Sequence, residues 1–76
     1  MNDFGKSLET IQRLLKIATE ITMLKVNKER PTPETISIAR SYCKEIVAAD
    51  LYPFNPAACD DDLINQILDF ASKVNG

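Results

Sequence analysis

Apolar residues recur along this chain in three blocks with helical spacing, and the breaks between the blocks carry prolines. In the first block Phe4, Leu8, Ile11, Leu15 and Ala18 alternate at four and three positions, and Leu14, Ile17, Ile21 and Leu24 follow the same period one face further round. At 100° per residue the two sets span an arc of roughly 200°, wider than a simple surface helix needs. Glu9, Arg13, Lys16 and Glu20 hold the opposite side, with Glu9–Arg13 and Lys16–Glu20 at the four-residue spacing where opposite charges meet. This block predicts a helix over about 6–28.

The run Glu29-Arg30-Pro31-Thr32-Pro33-Glu34 ends that helix and starts another. Thr32 is placed to cap, Pro33 suits a first helical position where no amide hydrogen is needed, and Glu34 sets negative charge against the helix dipole. Ile36, Ala39, Cys43, Ile46 and Val47 then form one apolar face with Tyr42 at its border, while Arg40, Ser41 and Lys44 point outward, so a second helix is expected over about 33–50. Pro53 and Pro56 push the residues before them out of helical geometry. Asp60-Asp61-Asp62 opens a third helix, one carboxylate as cap and the others favoured by the dipole, with Leu63, Ile67, Phe70, Ala71 and Val74 as its buried stripe, running to about 75 and closed by Asn75-Gly76. The fold class that follows is all-α: a single small three-helix bundle over 1–76, a helical hairpin plus a third helix folded back across it.

Length changes the picture. Seventy-six residues bury only about 60% of their unfolded surface, so association with a partner or a second copy is expected to add stability. Composition excludes more than it assigns. With 45% apolar and 26% charged residues the chain is not disordered, and the Met1–Lys6 segment lacks the basic and apolar regions of a secretory signal, so a cytoplasmic location without membrane insertion is expected. Cys43 and Cys59 are then expected as reduced thiols. The net charge of −2 is uneven, since residues 1–45 carry eight Lys or Arg against six acids and residues 46–76 carry Lys73 against five aspartates.

The absence of histidine removes the commonest general base and zinc ligand together. The three consecutive aspartates diverge on a helix and lack the alternating ligands and glycine of a calcium loop, so no metal is expected. Cys59 precedes the third helix beside those carboxylates with no base to deprotonate it. No serine stands in the Asp-Ser-Leu triplet at which acyl carrier proteins attach their cofactor, for Ser7 follows Lys6, Ser37 follows Ile36 and Ser41 follows Arg40. No enzyme activity and no cofactor are expected.

What remains is binding. The expected function is a non-enzymatic protein that acts on another protein or on itself, as a small inhibitor, adaptor or accessory subunit of the sort phages and mobile elements encode. A homodimer is favoured over a monomer. The candidate contact residues are Ile17, Ile21 and Leu24 from the surplus arc of the first helix, with Tyr52 and Phe54, although Phe54 and Leu51 also suit plugs at the open end of the core. The alternative is a helix-turn-helix-like nucleic-acid surface around Lys25, Lys28, Arg30, Arg40 and Lys44, which Glu29, Glu34, Glu45 and Asp50 dilute.

Overall fold

The structure, a computed structural model, describes residues 4–75 and, for Phe4, the backbone alone. Three helices form an all-α bundle: α1 (Phe4–Val26), α2 (Pro33–Ala48) and α3 (Asp60–Asn75). The expected places of Phe4 in the first apolar seam and of Gly76 at the chain end lie outside the described residues.

The first break is built from local chemistry. Lys28 turns left-handed at φ 60°, its N–H reaching the Lys25 carbonyl at 3.0 Å and that of Glu29 the Leu24 carbonyl at 2.8 Å, the paired bonds of a Schellman close. Thr32 then caps α2: its hydroxyl oxygen accepts the Thr35 N–H at 3.2 Å, ahead of Pro33 and Glu34. The far end of α2 repeats the motif, with Asp50 at φ 59° and bonds from Asp50 to Val47 (2.9 Å) and from Leu51 to Ile46 (3.1 Å). That left-handed residue stops α2 at Ala48, just inside the expected boundary.

Direction follows from the contacts between elements. Thr10, early in α1, meets Glu45, late in α2, at 3.2 Å. Arg30, just after α1, meets Asp61 at the start of α3 at 2.8 Å. Both α2 and α3 therefore run antiparallel to α1 and parallel to each other. Residues 49–59 must climb back the length of α2, about 24 Å at 1.5 Å per residue. They do so as a strap of successive turns between α2 and α3, which accordingly touch each other less than either touches α1.

The core is Leu14, Ala18 and Ile21 from α1, Ile36, Ala39, Cys43 and Ile46 from α2, Phe54 from the strap, and Leu63, Ile67 and Phe70 from α3. This accounts for the wide arc on α1. Packed by α2 on one side and α3 on the other, α1 buries the centre of the arc and leaves its margins, Ile11, Leu15 and Ile17, half-buried. Ile21 is 3% exposed and belongs to the intramolecular core rather than to a partner surface. Leu8, Val47, Leu51 and Val74, expected in buried stripes or as a plug, are exposed.

Candidate functional site

The strap is held at several points along its length. Tyr52, Phe54 and Phe70 form an aromatic knot with ring centroids 4.8, 4.8 and 5.1 Å apart. Phe54 is buried in it, as a plug, and Tyr52 is half-buried, its phenol oxygen 3.2 Å from the Lys73 ammonium. Hydrogen bonds from Lys73 to Tyr52 and Asp69 raise its pKa above the ordinary lysine value. The Gln66 amide reads the Asn55 backbone from both sides, accepting its N–H at 2.7 Å and donating to its carbonyl at 3.1 Å.

Arg40 is the largest departure from expectation. It does not point free into solvent; its guanidinium donates to the carbonyls of Pro56 and Ala58 (2.7 Å for the latter) and to the Asp60 carboxylate at 2.8 Å. The aspartate triplet is likewise used differently. The Cys59 carbonyl accepts the first helical bond, from Leu63 at 2.8 Å, so Cys59 holds the cap position, while Asp60 and Asp61 receive Arg40 and Arg30. Two of the five residues of the alternative basic surface, Arg30 and Arg40, are thereby paired with acids. Lys28 occupies the left-handed turn after α1; Lys25 and Lys44 are exposed on different helices.

Among the described residues no group of three or more His, Cys, Asp or Glu is arranged to hold a metal ion, and no helix is long and apolar enough to cross a membrane. Both cysteines are free, Cys59 exposed and Cys43 buried. Burial pushes the Cys43 thiol up to about 11, an effect the nearby Arg40 charge opposes. The cleft that contains Glu45, about 280 Å³ between Lys6, Ser7, Thr10, Ile46, Ala48 and Ala49, sets the carboxylate beside the Thr10 hydroxyl, whose single proton is shared with the Lys6 carbonyl at 3.1 Å.

A different surface emerges on the side of the α1–α2 hairpin that α3 does not cover. A groove of about 380 Å³ runs between the two helices, with Ile17, Ile38 and Tyr42 as its apolar lining and Arg13, Lys16, Glu20 and Thr35 at its rim. Ile17 and Tyr42 are half-buried, and Ile38 is 42% exposed. Leu24, seven residues beyond Ile17 and also half-buried, lies about 20° from it around α1 and continues the same face. Of the three contact residues expected on α1, Ile17 lines this groove and Leu24 extends its face, whereas Ile21 lies in the core; Ile38, which lines the groove, was not among the expected residues. The missed signal was an isoleucine off the core stripe, four residues before Tyr42.

Comparison with protein-family models, with curated proteins and with solved structures finds no match for this chain. Its functional reading rests on its own residues and geometry.

Proposed function

We propose that this chain is a non-enzymatic protein that acts by binding another protein chain through the α1–α2 groove, as a small inhibitor, adaptor or accessory subunit. The observation that carries the reading is the groove itself: Ile17, Ile38 and Tyr42 form a continuous apolar strip between two antiparallel helices, rimmed by charge. Such a strip gains free energy when an apolar partner face displaces its water, and charged rims set orientation. A side chain such as Ile38, exposed on a domain with so small a core, contributes little to folding where it stands and much to an interface.

The nucleic-acid alternative draws less support. A phosphate-binding surface needs cations that are available, and Arg30 and Arg40 are committed to Asp61 and Asp60. Titration of duplex DNA across a salt series is expected to give no binding that weakens with added salt.

The test of the reading compares the wild-type chain with the Ile17→Glu/Ile38→Glu double variant, immobilised side by side. Protein retained by the wild type and lost from the variant, with the helical circular dichroism of both unchanged, supports the groove. Equal retention by both would move the binding surface elsewhere.

A further inference from the structure

We propose that the cleft between the first turns of α1 and the last turn of α2 is a binding site for a small zwitterion, an α-amino acid with a short apolar side chain. The site goes beyond protein binding and does not depend on the α1–α2 groove.

The cleft is one proton short. Thr10 is 6% exposed, and its hydroxyl stands 3.1 Å from the Lys6 carbonyl and 3.2 Å from Glu45 Oε1. A hydroxyl carries a single proton, so whichever oxygen accepts it, the other faces Thr10 Oγ1 with no hydrogen between them. The Lys6 carbonyl, one turn back in the same helix, is the ordinary acceptor for a helical threonine, as the Leu15 carbonyl is for Thr19 and the Ala18 carbonyl for Thr22. Glu45 is then the oxygen in need of a donor, and the lone pairs of Thr10 Oγ1 face the same space.

The end of α2 adds to this demand. The carbonyls of Glu45, Ile46 and Val47 are closed by the amides of Ala49, Leu51 and Asp50, whereas those of Ala48 and Ala49, two residues that line the cleft, accept no backbone hydrogen bond among the described residues. No basic residue stands in the last turn of α2 to offset the negative end of the helix dipole. Carboxylate, hydroxyl oxygen and unclosed helix end together favour a cation with several N–H donors, and a primary ammonium has three.

A second charge fixes the rest of the ligand. Lys6 lines the same cleft, yet it does not pair with Glu45. A bare amine would meet that ammonium as a like charge. An amino acid answers it with a carboxylate, so each end of one molecule finds its opposite. Ile46, Ala48 and Ala49 supply an apolar wall for a short side chain, and the volume of about 280 Å³ lies at the small end of ligand sites.

Titration of the full chain with L-valine, followed by amide NMR, is the experiment. Saturable shifts are expected at Thr10, Glu45 and Ala49 in roughly the millimolar range, as so small a ligand allows. Propylamine lacks the carboxylate and N-acetyl-L-valine lacks the ammonium, and each should bind about tenfold more weakly or worse. Glu45→Gln keeps the shape and removes the accepting charge; it should weaken valine binding by about tenfold or more with the helical circular dichroism unchanged. Lys6→Gln should weaken valine binding without weakening that of propylamine. Ile17→Glu/Ile38→Glu, whose changes lie two turns along the hairpin from Thr10 and Glu45, should bind valine as the wild type does. The proposal is overturned if valine gives no saturable shift, if the shifts persist unchanged in Glu45→Gln, if they vanish in the folded Ile17→Glu/Ile38→Glu variant, or if propylamine or N-acetyl-L-valine binds as well as valine.

Discussion

The two junctions of this bundle begin alike and end differently. Each opens with a Schellman close on a left-handed residue that is not glycine, Lys28 after α1 and Asp50 after α2. The first junction then turns at once into α2, with Thr32 as its cap. The second runs on through residues 49–59 and returns along α2 before α3 begins, held by Phe54 in the core, Gln66 on the Asn55 backbone and Arg40 on two carbonyls and Asp60. A short junction can be specified by residues within it. A long one needs anchors supplied by other elements, because each ordered residue costs about 1–2 kcal/mol of backbone entropy. The strap is thus where the tertiary structure is most exposed to single substitutions.

The largest effect is expected at the plug. Phe54→Ala removes the one strap side chain in the core and should cost about 3–5 kcal/mol in chemical denaturation. A loss under 1 kcal/mol would show that the strap contributes little to the fold.

Cys43 and Cys59 sharpen the comparison between core and strap. A thiol-exchange reagent should titrate Cys59 promptly in the native protein and Cys43 only after unfolding. The Cys43 thiol is raised in the folded state to about 11, so its contribution to stability is fully present below its unfolded pKa and is lost as pH rises through the folded one. Over that alkaline window the loss should approach about 2–3 kcal/mol. Lys73, also raised, loses stability in the same direction. Cys43→Ala, though less stable at neutral pH, should show the shallower alkaline decline, and equal slopes would remove Cys43 as the cause.

Arg40→Ala leaves the Pro56 and Ala58 carbonyls and Asp60 without their donor, and should cost about 2 kcal/mol. Arg40→Lys should recover only part of this, because an ammonium on a flexible stem does not reproduce the planar guanidinium fork. Full recovery would show that charge alone holds the strap. At the first junction Thr32→Ala should cost about 1 kcal/mol through the lost cap. The smallest effect is a gain: Lys28→Gly and Asp50→Gly relieve left-handed strain and should each stabilise by about 0.5 kcal/mol, net of the entropy glycine adds to the unfolded chain.

Much of this architecture was legible in the residues themselves. Helical periodicity, the Thr32-Pro33-Glu34 start and the proline-bearing breaks located all three helices, because these signals act over one or two turns of chain and need no distant partner. Tertiary structure alone decided that α2 and α3 run parallel, that Arg30 and Arg40 reach Asp61 and Asp60 from residues 31 and 20 positions away, and that the centre of the α1 arc is core while its margin becomes a groove. A side chain at the edge of an apolar arc has the same local pattern whether a neighbour covers it or not. Ile21 and Ile17 differ only in how far α2 and α3 reach around α1, and that distance is set by the packing of all three helices and the strap together.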